Sequence, residues 1–280
     1  MKHIACIAWA ALLSLLFSTC QAASHNPGYI PKIIWQTYKT KTLPKDAKKL
    51  QKTWLSQNPD YAYSLWDDED IARYIHKNWN HDTECFFYAL PLGVMKADLW
   101  RYLILATEGG VYSDVDSKCC APIDSWASDV PKKSKHVLLV GLENDTHFCQ
   151  WTIAATAQHP AMKHVCEFLV DHWKIKGIDT QDPNFVHATT GPGVWTDALI
   201  DYLRISLQDA PPGKAARYVY DLYTKNSSFR KHINKKGVYL FPREFYAGQA
   251  SRNLYGSRNF GDGYARWIDE RDALNQSSVK

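Results

Sequence analysis

The alternation of apolar and polar positions divides the chain into β-like and helical stretches. "IPKIIWQTY" (Ile30–Tyr38) is almost continuously apolar, with Pro31 at its start, and reads as a buried strand. "LPKDAKKLQKTWLSQN" follows as a loop leading into an amphipathic helix, with Leu50, Trp54 and Leu55 on one face. "YAYSLWDD" (Tyr61–Asp68) alternates as a second strand. "DEDIARYIHKNW" predicts a helix capped by Asp68 or Asp70. The clearest helix is "GVMKADLWRYLILATEGG" (Gly93–Gly110), with an apolar stripe of Val94, Leu99, Tyr102, Leu103 and Ala106. Gly109 and Gly110 suit a left-handed stop. "VYSDVD" continues from that stop as a strand.

Further on, "HVLLVGLEN" (His136–Asn144) predicts a strand and "PAMKHVCEFLVDHW" (Pro160–Trp173) a helix with proline in its first turn. "TTGPGVWTDALIDYL" (Thr189–Leu203) predicts a turn feeding a helix, and "GVYLFPREFY" (Gly237–Tyr246) a late strand. Strands and helices in this order predict one α/β domain, from about residue 24 to 280, around a mostly parallel sheet. Ligands bind such sheets beyond the carboxyl ends of their strands. Asp114 and Asp116 fall at one of those ends.

Composition narrows the function classes. The 280 residues are 45% hydrophobic and 22% charged, as in ordinary globular proteins. The net charge of +4 is carried in short clusters such as Lys132–Lys135, with no arginine-rich run, which argues against nucleic acid as a partner. Eleven tryptophans and sixteen tyrosines supply rings for a core or for a sugar-binding surface.

Lys2 and His3 precede an apolar run from Ile4 to Phe17. Cys20 and Ala22 then occupy the −3 and −1 positions of a cut after Ala22. Residues 1–22 therefore read as a secretory signal peptide, or as a short type II membrane anchor if uncleaved. The expected location is the secretory pathway: the Golgi or ER lumen, or outside the cell. Asn144, Asn226 and Asn275 head glycosylation sequons, which fits that route. Beyond the signal, Cys85, Cys119, Cys120, Cys149 and Cys166 form an odd set with no Cys-x-x-Cys spacing, which argues against a structural zinc site.

Two Asp-x-Asp triplets occur, Asp68–Asp70 and Asp114–Asp116. The first sits where a helix begins, so its carboxylates read as caps. In the second, residues i and i+2 of an extended segment project to one face. Two carboxylates held together call for a divalent cation, and an all-oxygen donor set favours Mn²⁺ or Mg²⁺ over zinc. Such an ion would neutralise the charge of a departing diphosphate. Asp98 and Arg101 are neighbours on one helix face. Spacing alone leaves them as an intrahelical ion pair or as contacts to sugar hydroxyls.

"IPKIIWQT", "PLGVMKADLWRYLILATEGGVYSDVDSKCCAPIDSW" and "TTGPGVWTD", in that order between Ile30 and Asp197, resemble the Asp-x-Asp glycosyltransferases of family 32. The wording is nearest that family's mannosyltransferase branch. The resemblance implies a GT-A fold, Mn²⁺ (or Mg²⁺) dependence, a nucleotide-sugar donor, a glycan or glycolipid acceptor, and transfer with retention. By the same resemblance Asp114 and Asp116 are the metal and diphosphate motif. Asp116 is the direct ligand and Asp114 faces the ribose and sugar. Asp98 and Arg101 become donor-sugar contacts. Trp35 either stacks on the base or is a core aromatic. Thr190, Gly191 and Pro192 shape the floor beside the acceptor. Relatives complete the metal site with a late histidine-containing segment. The comparable "SRNLYGSRNF" has none, so Asn253 or Ser257, or water, would complete the shell. The expected reaction moves a hexose, mannose from GDP-mannose foremost, with galactose or N-acetylglucosamine from a UDP-sugar as the alternative. A glycoside hydrolase and a non-catalytic carbohydrate-binding protein are the readings from other classes.

Overall fold

The computed structural model describes residues 29–128, 130–242 and 250–252. The signal or anchor segment 1–22, the third sequon at Asn275 and the possible metal ligands Asn253 and Ser257 lie outside them. In chain order the elements are β1 (Ile33–Thr37), α1 (Lys45–Gln57), β2 (Ala62–Trp66), α2 (Asp68–Asn78), α3 (His81–Ala89), α4 (Gly93–Thr107), β3 (Gly110–Ser113) and β4 (Ser117–Cys119). There follow β5 (Leu138–Gly141), β6 (Thr152–Ala155), α5 (Pro160–Lys176), α6 (Phe185–Thr189), α7 (Pro192–Leu203), α8 (Ala215–Lys225), α9 (Ser227–Lys235), β7 (Val238–Phe241) and β8 (Ala250–Arg252).

Six strands form one sheet in the order β2-β1-β3-β6-β5-β7, with β4 and β8 paired separately. β1 runs parallel to both β2 and β3, and β5 parallel to β7. Only β6 is reversed, antiparallel to β3 and β5. The sheet is thus α/β and mostly parallel, as the element order predicts. Alternate side chains divide between its faces. Trp35, Tyr112, Leu138, Ile153 and Leu240 enter one core with most of the helices. Ile34, Val111, Leu139, Ala154 and Tyr239 enter a second core closed by Trp54 of α1 and by Trp126.

Several expectations need correction. In α1 the inward residues are Ala47, Leu50 and Trp54, while Leu55 is exposed. The N-cap of α2 is Asp67, not Asp68 or Asp70. Its side chain accepts from the Asp70 N–H at 3.0 Å, and Asp70 returns the bond to the Asp67 N–H in a capping box. α4 has no simple stripe: from Asp98 to Ala106 every residue is buried, while Val94 is only partly covered. A helix enclosed by the sheet and α5 buries all its sides. The two-glycine stop is as expected. Gly109 and Gly110 have φ of +66° and +96°, and a Cβ on Gly109 would lie 2.3 Å from the Ala157 nitrogen.

Candidate active site

The glycine pair fixes where β3 starts, and the site begins where β3 ends. The strand stops at Ser113. The Ser117 N–H and Oγ both bond the Asp114 carbonyl, at 3.0 and 2.5 Å, and turn the chain back into β4. Asp114 and Asp116 therefore sit on a tight turn, not on an extended strand as alternation suggested. Gln36 Nε2 also donates to the Asp114 carbonyl, at 3.2 Å, and the Asp114 N–H donates to the Trp151 carbonyl at 2.9 Å. The backbone of this turn is held from both neighbouring strands.

Asp114 turns inward. Its Oδ1 accepts from the Tyr112 hydroxyl at 2.7 Å and lies 3.2 Å from Arg101 Nη2. The same Nη2 is 2.8 Å from Asp98 Oδ1, and Arg101 Nη1 donates to the Gln150 carbonyl at 3.1 Å. The guanidinium stacks over the Tyr112 ring, 4.7 Å from its centroid. Burial works against the charge on Arg101, but Asp114, Tyr112 and Asp98 outweigh it and hold its pKa well above the usual arginine value. Asp98 is 2% exposed and Arg101 3%. A second tier holds Asp98: Thr190 Oγ1 donates to Oδ2 at 3.2 Å and Gln150 Nε2 to Oδ1 at 3.3 Å.

The predicted residues divide clearly. Asp98, Arg101, Asp114 and Thr190 come together in one hydrogen-bonded group, with Asp116 on the same turn as Asp114. Gly191 and Pro192 start α7 directly after Thr190. Glycine is required at 191 because a Cβ there would lie 2.8 Å from the His187 Cα. Trp35 does not join them. Its indole N–H donates to the Gly109 carbonyl at 2.7 Å, at the opposite end of β3, and its ring packs edge-on against Trp66. Of the two sequence readings, core aromatic is the one its surroundings match. Gln150 and the Tyr102 hydroxyl are new members. No local pattern marks them, because Gln150 reaches Asp98 only through the antiparallel β6, itself absent from the predicted elements.

The group's charge fits a cation. Asp98, Asp114 and Asp116 supply three carboxylates against one guanidinium, so a diphosphate approaching without a counter-ion meets repulsion. Among the described residues no cluster of three or more His, Cys, Asp or Glu could hold a metal by itself. Oxygen donors on a half-buried turn suit a hard divalent ion that keeps positions for phosphate oxygens.

Residues 44–131 match the family model "Glycosyltransferase sugar-binding region containing DXD motif". The chain is 34% identical to the initiation-specific alpha-1,6-mannosyltransferase of Schizosaccharomyces pombe, over 62% of this chain and 49% of that protein. It is 32% identical to the Candida albicans enzyme of the same name, over 64% of this chain and 54% of that protein. The chain thus spans about half the length of the curated relatives it matches. The solved structure of the PaToxG glycosyltransferase aligns with a TM-score of 0.51 at 19% identity, covering 82% of this chain and 94% of that one, a likeness of fold alone. Both Asp-x-Asp triplets lie in the matched region, but Asp70 is engaged in a helix cap, whereas Asp114 joins the Asp98–Arg101 pair at the carboxyl end of β3. Residues 44–131 thus resemble the DXD-containing sugar-binding region of glycosyltransferases, set in an α/β fold of the GT-A kind, and of the two triplets there Asp114–Asp116 is the one beside a buried ion pair.

Proposed function

We propose that this chain is a metal-dependent retaining glycosyltransferase that moves a hexose, mannose from GDP-mannose foremost, to a hydroxyl of a glycan or glycolipid. The observation that carries the reading is Arg101, which ties Asp98 to Asp114 beside the Asp-x-Asp turn. Asp116, with Asp114 adjoining, would hold Mn²⁺ or Mg²⁺, which when bound neutralises the leaving diphosphate. Asp114 stands at the mouth of the site and Arg101 and Asp98 behind it. Their hydrogen-bonding atoms orient the donor sugar, and Thr190, Gly191 and Pro192 lie on the acceptor side. The acceptor hydroxyl approaches the face from which the phosphate departs. The bond from the anomeric carbon to phosphate breaks as the bond to the acceptor oxygen forms, and the hydroxyl proton passes to the diphosphate. Electrostatic and positional effects supply the catalysis.

On this reading residues 24–280 are the transferase domain, and residues 1–22 deliver it to the secretory pathway or anchor it there. A glycoside hydrolase is disfavoured because its two carboxylates flank the substrate from separate positions, whereas Asp114 and Asp116 share one turn. Calorimetry with GDP-mannose and UDP-sugars, with and without Mn²⁺, tests the reading. Metal-dependent nucleotide-sugar binding is expected. Glycan binding with no affinity for any nucleotide sugar would instead support a carbohydrate-binding protein.

A further inference from the structure

Two buried glutamines are arranged alike around the acidic site. Gln36 Oε1 accepts from the Tyr63 hydroxyl at 2.6 Å, and its Nε2 donates to the Asp114 carbonyl. Gln150 Oε1 accepts from the Tyr102 hydroxyl, and its Nε2 donates to Asp98 Oδ1. The orientation of the second amide is dictated by chemistry. An ionised carboxylate only accepts, so the amide nitrogen must face Asp98, which leaves the amide oxygen for a donor. Tyr102 supplies it, with the Thr190 carbonyl as a further acceptor at 3.1 Å.

Gln150 differs from Gln36 in touching both members of the Asp98–Arg101 pair. Its side chain holds Asp98 and its carbonyl accepts from Arg101. Its support is rigid. Tyr102 lies stacked on Trp195 with centroids 5.3 Å apart and planes 9° from parallel, and Trp195 Nε1 bonds the Cys149 carbonyl next to Gln150. Gln150 is 8% exposed.

We infer that Gln150, fixed by Tyr102, is a positioning residue that holds Asp98 and Arg101 in the geometry that orients the donor sugar. The inference rests on the transferase reading above. It assigns Gln150 to the sugar half of the donor site and not to the metal-diphosphate half. Binding of a free nucleoside diphosphate with Mn²⁺ should therefore be indifferent to it, whereas transfer should not. A displacement of about 1 Å in such a group costs on the order of 10²-fold in rate.

The test compares Gln150→Ala, Gln150→Glu, Tyr102→Phe and the Tyr102→Phe/Gln150→Ala double variant in the full chain. Transfer from the donor that serves the wild type is measured alongside calorimetric binding of GDP and UDP with Mn²⁺. Gln150→Ala should lower kcat about 10- to 100-fold and leave the diphosphate Kd within about twofold of wild type. Tyr102→Phe should lower kcat less. The double variant should be no worse than Gln150→Ala, because the two act through one contact. Gln150→Glu should be poorest at high pH and gain relative to wild type as pH falls, because its protonated carboxyl again donates to Asp98. If Gln150→Ala does not fold, Tyr102→Phe and the Gln150→Glu pH profile decide. An active wild type with unchanged kcat in these variants would overturn the positioning role alone, as would diphosphate binding that falls in step with kcat. A wild type inactive with every donor would overturn the transferase reading and this role with it.

Discussion

Arg101 Nη2 stands 3.2 Å from Asp114 Oδ1, joining the helix before the glycine pair to the acidic turn after it. One planar fork serves Asp98, Asp114 and the Gln150 carbonyl at once. Lysine keeps the charge but cannot reproduce that fork. Arg101→Lys should therefore lower kcat/KM by about 10²-fold with the protein still folded. Arg101→Met leaves the buried Asp98 carboxylate without its cation and should cost about 3–5 kcal/mol. Initial rates and urea unfolding of the two variants check both statements.

The two Asp-x-Asp triplets should behave oppositely. Asp116→Asn should abolish metal-dependent transfer while far-UV circular dichroism and Tm stay close to wild type. Asp70→Asn weakens the α2 capping box and its ion pairs with Lys41 and Arg73. It should lower stability by about 1 kcal/mol and leave transfer intact. Full activity in Asp116→Asn would remove the metal motif from the account.

Chelation separates transfer from hydrolysis. EDTA should silence the protein and added Mn²⁺ restore it, whereas a two-carboxylate glycosidase needs no metal. Activity that survives exhaustive chelation would contradict the proposed role of the acidic turn.

Gly109→Ala puts a side chain at a positive φ and against the Ala157 nitrogen. A cost of about 2–4 kcal/mol is expected, with lowered activity because Gly109 sets the course of β3 into the acidic turn. Thermal unfolding measures it. A change under about 0.5 kcal/mol, the ordinary range for a surface substitution, would show that the turn relaxes freely.

His159 predicts a pH dependence of stability. It is fully buried. Its Nδ1 accepts from the Ala161 N–H at 3.0 Å, and as the neutral ring its Nε2 donates to the Gly237 carbonyl at 3.2 Å. Burial lowers its pKa to about 3, with the Gly237 bond opposing and His136 adding to the shift. In the unfolded chain an ordinary histidine takes its proton near pH 6.5. Between these values the unfolded state binds more protons, so stability is full above about pH 6.5 and falls as the pH drops toward 3. From pH 6.5 to 5 the loss from this residue should be about 1–2 kcal/mol. His136, His147, His172 and His187 shift in the same direction and add to the slope. Urea unfolding at pH 7 and pH 5 should show a smaller drop for His159→Gln than for wild type. Equal drops would assign the slope to the other histidines.

The sequence made some of this visible and concealed the rest for physical reasons. The β1, β2, β3, β5 and β7 strands were legible because buried strands are apolar and bounded by turns. The four residues of β6 carry no such boundary, and α3 has little amphipathic pattern, whereas α8 and α9 turn Ala216, Val219, Tyr223 and Ile233 inward at helical spacing and were legible in principle but are not among the predicted elements. Asp98, Arg101, Asp114 and Asp116 are close in sequence and could be grouped from spacing and resemblance. Thr190 and Gln150 reach Asp98 from far along the chain, and only Thr190 stood in a recognisable segment. Trp35 shows the converse limit. Its strand was legible, but the direction of its indole is set by the Gly109 carbonyl, which no periodicity encodes.

The central claim is transfer of a sugar from a metal-bound nucleotide donor. Its most direct measurement is nucleoside diphosphate release from GDP-mannose, UDP-galactose and UDP-N-acetylglucosamine, with and without Mn²⁺, in wild type and Asp116→Asn. The account predicts Mn²⁺-dependent release from one donor, GDP-mannose foremost, by the wild type and none by the variant. No release from any donor by a folded, Mn²⁺-supplied wild type, or equal release by both proteins, would contradict it.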